Sequence, residues 1–150
     1  MAGKSDFFEN ALLQSVFGYP NFSIPDLNTI WVASAGPLQN LYISLHTADP
    51  TDAAANQSVN ECSYTGYARK AVPRGPSGFT ITGNSVSPAA DIDFPSNTGG
   101  TTQVATHFAI GTAASGSTGK ILYSGTVTPQ ITINQGTIPR LTTFTTVTED

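Results

Sequence analysis

The stretch from Val104 to Gly125 constrains the fold most, because two alternating apolar runs flank a connector made of Gly, Thr, Ala and Ser from 111 to 119. In the first run Val104, Thr106, Phe108 and Ile110 share one side and Ala105, His107 and Ala109 the other, the period of a strand. The second run, Ile121, Leu122 and Tyr123, resumes with β-branched and aromatic residues. An apolar run, a polar turn and a second apolar run predict a hairpin. Gly119-Lys120 imitates a phosphate-binding loop only superficially. That loop needs Gly where Ala114 stands, Ser or Thr where Ile121 stands, and a helix where a strand is expected.

Length and charge narrow the class. A chain of 150 residues suits one domain, expected to span 1–150, with 1–20 forming a helix and arm. Charged residues make up 11% of the chain, well under the roughly 25% usual in soluble domains. Low charge suits a surface that meets neighbours, since dry interfaces are depleted of charge. A net charge of -4 with only six Lys and Arg argues against nucleic acid as a partner. The basic cluster Arg69, Lys70 and Arg74 is expected on a solvated strand face or against an acidic neighbour. No apolar run approaches the 18 residues of a membrane span, so no membrane partner is expected, and the chain is expected to be made soluble in the cytosol.

Along the chain, Ser5 is placed to cap a helix that carries Asp6 and Glu9 in its first turns and ends at Gly18 and Pro20. Phe8, Leu12 and Val16 form one stripe, broadened by Phe7, Leu13 and Phe17, so the helix must dock. A loop with a short edge strand at 29–33 holds Trp31, the single Trp. Leu41 to His46 predicts a strand with Leu41, Ile43 and Leu45 inward and Tyr42, Ser44 and His46 outward, stopped by Asp49-Pro50. Further strands are expected at 64–74, 79–81, 92–94, 130–134 and 138–147. About eight short strands with turn residues between them indicate an all-β fold, a jelly-roll-like β-sandwich with one N-terminal α-helix.

Reactive chemistry has few candidates. The lone Cys62 precludes an internal disulfide and a Cys-rich zinc site. Cys62, His46 and His107, with Asp49, Asp91 or Asp93 to orient them, are the raw materials of a nucleophilic site, but no motif places them at a helix N-terminus or strained elbow. His46 and His107 become cross-strand neighbours if their strands pair, and with Asp49 would make a two-His, one-carboxylate metal set. A pair such as Asp91 and Asp93 arises readily by chance in a turn-rich strand and does not specify two glycosidase carboxylates. No catalytic residue, cofactor or metal is assigned.

Several segments together, FFENALLQSVFG, LYISLHTADP, SYTGYARKAV, FPSNTGG, THFAIGTAASGSTGKILYSGTVTP and the closing TVTED, resemble a family of small tailed-phage virion proteins. Its members are often labelled tail fibre proteins, and some are capsid cement or decoration proteins. The resemblance covers most of the chain apart from about 21–37. It implies a non-enzymatic structural role, in the virion, on the capsid surface, after assembly in the host cytoplasm. The leading expectation is a cement protein that bridges major capsid protein subunits and self-associates as a dimer or trimer. Its expected contacts are Phe7, Phe8, Leu12, Phe17, Trp31, Tyr42 and Tyr67. The alternative is a tail fibre or baseplate component involved in host attachment.

Overall fold

The computed structural model describes residues 6–18, 38–51 and 56–149, with side chains described from Glu9 onward. Ser5, Trp31 and the strand expected at 29–33 lie outside this set, as do the side chains of Phe7 and Phe8. The described chain is strands joined by loops, with a single short helix, so the all-β expectation holds. It divides into two compact units that exchange the chain between them.

One unit takes the described parts of 1–39, with 73–90 and 142–149. Its helix α1 (Asp6–Phe17) rests on the antiparallel hairpin of β3 (Phe79–Thr82) and β4 (Ser85–Pro88). Leu13 and Phe17 are fully buried, so the docked stripe is the one expected only to broaden the helix face, while Leu12 and Val16 are half-buried. Phe17 meets Phe79 edge to face at 4.7 Å between ring centroids. Gly83, at φ +60, forms the turn between β3 and β4, a conformation glycine adopts without steric cost. Arg74 closes the helix: its Nε donates to the Val16 carbonyl at 2.5 Å and its Nη2 to that of Ser15, while the Gly75 amide donates to the Phe17 carbonyl. A guanidinium suits the partial negative charge where helix carbonyls lack intrahelical partners. Val147–Thr148 pairs with β4.

The other unit takes 40–72 and 91–141. Its main strands are β1 (Asn40–His46), β6 (Gln103–Gly111) and β7 (Ile121–Ile133), joined by β2 (Lys70–Pro73), which begins in this unit, in the order β2-β1-β6-β7. The expected hairpin is therefore present, as β6 and β7, and it is larger than the sequence pattern indicates. Residues 127–130 of β7 lie between the pairs made by Thr126 and Ile131, opposite Thr106 alone. Pro129 falls in that interruption, where its missing N–H costs no ladder bond. The expected separate strand at 130–134 is the far end of β7. Ile92–Asp93 and Arg140–Leu141, here β5 and β8, form a two-stranded ribbon, with β9 being the Val147–Thr148 strand of the first unit.

Three expectations need correction, the first being the strand expected at 64–74, which is confined to Lys70–Pro73. The strand expected at 138–147 is two short pieces separated by a turn, in which the Thr145 amide bonds to the Thr142 carbonyl and Phe144 is 89% exposed. Ser44 and His46, expected outward, are 0% exposed. β1 is an inner strand, and its second face is covered by polar residues from the segment that follows it.

Candidate functional site

The register of β1 on β6 places Ser44 opposite Ala109 and His46 opposite His107 on one face, with Ile43 and Leu45 on the apolar face. The cross-strand pairing of the histidines is thus as anticipated. Segment 56–62 folds back over the polar face: the Thr47 amide bonds to the Asn60 carbonyl and the Cys62 amide to the Leu45 carbonyl, each at 2.8 Å.

Beneath that segment lies a continuous hydrogen-bonded network. His46 Nδ1 is 2.8 Å from the Val59 carbonyl, which only accepts, so the ring proton sits on Nδ1. Nε2 then accepts from Ser44 Oγ at 2.8 Å, and Ser44 Oγ in turn accepts from Gln57 Nε2 at 2.9 Å. Gln57 Nε2 also donates to the Tyr42 carbonyl at 2.7 Å. Arg69, with 2% of its side chain exposed, grips Glu61 through Nε at 2.7 Å and Nη2 at 2.8 Å. Its remaining protons reach Gln57 Oε1 at 3.4 Å and the carbonyls of Ala113 and Gly116, both at 2.9 Å. Tyr67 donates to Glu61 Oε1 at 2.9 Å and accepts from the Leu45 amide at 3.1 Å. Among the described residues no buried side-chain polar atom lacks a partner. A fully satisfied buried network rigidifies the elements it joins, here β1, segment 56–69 and the turn between β6 and β7.

The electrostatics follow from that geometry. Burial first, then Arg69 and His107, hold His46 below its usual value of 6.5, opposed by the Val59 carbonyl and Glu61. The hydrogen bond to Glu61 raises the Arg69 value and keeps the guanidinium charged. Burial and then Glu61 push Tyr67 upward. Burial, with a smaller push from Glu61, takes the Cys62 thiol up to about 12.

Ser44 and His46 superficially match a catalytic dyad, but both are inaccessible, the imidazole is oriented by a carbonyl rather than a carboxylate, and the serine oxygen is already an acceptor for Gln57. Cys62 is buried and held as the thiol, whereas thiol chemistry needs the thiolate. In the native protein Cys62 is expected to react with a disulfide reagent at pH 8 at least about a hundredfold more slowly than after unfolding in urea, as its depleted thiolate requires. A rate matching the unfolded chain would contradict its burial.

The remaining candidates are dispersed. Asp49 Oδ1 accepts from the Thr51 amide in a local turn, and among the described residues no cluster of three His, Cys, Asp or Glu is suited to a metal. Asp91 and Asp93 both bind Arg140 on the exposed β5–β8 ribbon, and the hydrogen bond from Arg140 lowers Asp93. Arg69 meets the acidic neighbour anticipated for it, and Arg74 serves the helix end, so the basic cluster is no patch. Of the expected interface residues, Phe17 is taken up by the core, Tyr67 is held in the network, and Leu12 and Tyr42 are half-buried. Sequence reading missed Ser44, Gln57 and Glu61. Gln57 reaches Ser44 from another segment, while the local signals were Ser44 two residues before His46 and an acid eight residues before Arg69.

Gly111 fixes how closely β6 approaches this network. A Cβ there would press into the Gln57 amide and sit 2.7 Å from the Lys120 carbonyl. Gly111→Ala is expected to destabilise the chain by about 1–3 kcal/mol through overpacking, read as a lower urea midpoint. An unchanged midpoint would show that Gln57 can move without cost.

The arrangement holds loops in place, with Ser44, His46 and Cys62 all buried. A family model described as podophage GP4 fiber I protein gp80 matches residues 3–148. The class is therefore that of phage virion structural proteins of the fibre type. With nearly its whole length matched, the chain belongs to this family. No curated protein matches it.

Proposed function

We propose that this chain is a non-enzymatic component of a virion fibre that takes part in attachment to the host. The observation that carries this reading is the family match over 3–148, whose description names a fibre protein. It favours the fibre over a cement layer bridging major capsid protein subunits. The chemistry of the site agrees with a non-enzymatic role, because Cys62 is held as a thiol and Ser44 and His46 are closed off. Self-association as a dimer or trimer fits the surface. β7 carries no charged residue and exposes Leu122, Ser124, Thr126 and Thr128, a neutral face on which a neighbour docks without desolvating charge. Leu12 and Tyr42 are proposed as contacts, together with Phe7, Phe8 and Trp31, which lie outside the described side chains. Several copies on one particle would convert weak individual contacts into firm attachment.

The test is a phage lacking this chain. As a fibre component, its loss leaves heads as resistant to heat and osmotic shock as the parent while adsorption to host cells collapses. Fragile heads with normal adsorption would overturn the fibre reading and restore the cement role.

A further inference from the structure

The polar network contains one group whose charge changes between pH 5 and 8 and whose bonds hold a segment closed. His46 ties segment 56–62 to β1 through the Val59 carbonyl, and its other nitrogen ends the chain of donors running from Gln57 through Ser44. In the neutral ring each donor in that chain meets an acceptor. A proton on Nε2 reverses the last link, because Nε2–H and the Ser44 hydroxyl hydrogen then point at each other. Ser44 must turn its hydrogen to the Ala109 carbonyl, which lies 3.4 Å away and makes a long bond.

The charge itself is poorly received. Of the groups facing the ring, Arg69 and His107 oppose a cation and Glu61 favours one. Both ring nitrogens face other partners, Val59 and Ser44, so Glu61, which accepts from Arg69 and Tyr67, acts on the imidazolium only at a distance. Tyr67 and Cys62, the other titratable groups of the cluster, stay neutral across this range. The alternative for a protonated ring is water, reached when segment 56–62 lifts away.

We propose that His46 is an acid-sensitive latch: protonation of its Nε2 reverses the Ser44–His46 link, leaves the Ser44 hydroxyl only the long bond to the Ala109 carbonyl and places a buried cation between β1 and segment 56–62, so that the segment is released from β1 and the Arg69 clamp on the turn at 113–116 loosens. The direction follows from linkage. The closed form binds the proton less well than the open one, so the latch holds fully above about 6.5, weakens as pH falls below it, and levels off once the closed form also protonates. Opening therefore rises by up to about tenfold per pH unit within that window.

Amide hydrogen exchange on the full chain tests this at pH 7.5, 6.5 and 5.5, corrected for intrinsic rates. The probes are the Thr47 and Cys62 amides, which bond across the closed segment. Their protection is expected to fall on acidification in the parent and in His107→Asn. In His46→Asn, which keeps a donor for Val59 and cannot titrate, it is expected to stay level. The same acid loss in His46→Asn, or its disappearance in His107→Asn, would overturn the latch. Should His46→Asn fail to fold, the parent alone decides by NMR: the His46 ring must titrate over the same range as the two amides lose protection, and ring titration with unchanged protection refutes the proposal.

Discussion

Arg69→Met is expected to lower the free energy of unfolding by about 3–5 kcal/mol, the usual consequence of removing one partner from a buried ion pair. The loss has a definite physical origin. Glu61, with 13% of its side chain exposed, would be left with the Tyr67 hydroxyl in place of the guanidinium. The carbonyls of Ala113 and Gly116 would lose the guanidinium that pins the turn, and Gln57 Oε1 would lose its donor. Urea titration reads the change as a midpoint lower by at least about 1 M, given typical denaturant slopes. The double variant Arg69→Met with Glu61→Gln should recover part of the loss, because no uncompensated charge then remains. If the single variant matched the parent, the network would be decoration on a fold held by its apolar face alone.

The second large effect is expected at Phe17. Phe17→Ala removes a ring that is fully buried and in edge-to-face contact with Phe79, a truncation that typically costs about 3–5 kcal/mol. The damage should fall on α1 and the β3–β4 hairpin beneath it, since Phe17 and Leu13 are the helix residues with no exposure at all. Loss of helical circular dichroism at lower urea, with the proposed self-association lost only as far as folding is lost, is the predicted pattern. Unchanged stability with weakened association would instead make Phe17 an intersubunit contact, the role its sequence position first suggested.

How far the sequence discloses the fold depends on whether partners are near or far along the chain. The β6–β7 hairpin, the β3–β4 turn at Gly83 and the helix ending at Phe17 rest on local signals, namely alternation, a positive-φ glycine and an apolar stripe. The length of β7 was hidden by Pro129, which reads as a break and instead occupies an interruption in the ladder. The turn at Phe144 was hidden because TTFTTVT alternates like a strand although nothing in it says that the ring faces solvent. The polar face of β1 was the deepest miss. Tyr42, Ser44 and His46 alternate with Leu41, Ile43 and Leu45, the usual mark of a half-exposed strand. What inverts it is Gln57 and the Val59 carbonyl arriving from beyond the strand to satisfy those polar atoms, which no single window of sequence contains.

Legibility of function was divided in the same way. The segments around LYISLHTADP and SYTGYARKAV carry the family resemblance, and these are the segments that build the network of His46, Glu61, Tyr67 and Arg69. The exposed face of β7 is neutral and hydroxyl-rich and carries no motif that separates a fibre from a capsid layer, and the family match is what favours the fibre.

Reconstruction of the intact virion, with the two units fitted separately into density, tests the central claim most directly. The account predicts that the fold is found in the fibres and nowhere on the capsid lattice. Copies spread evenly over the joints between capsid subunits, with fibres built from other chains, would contradict it.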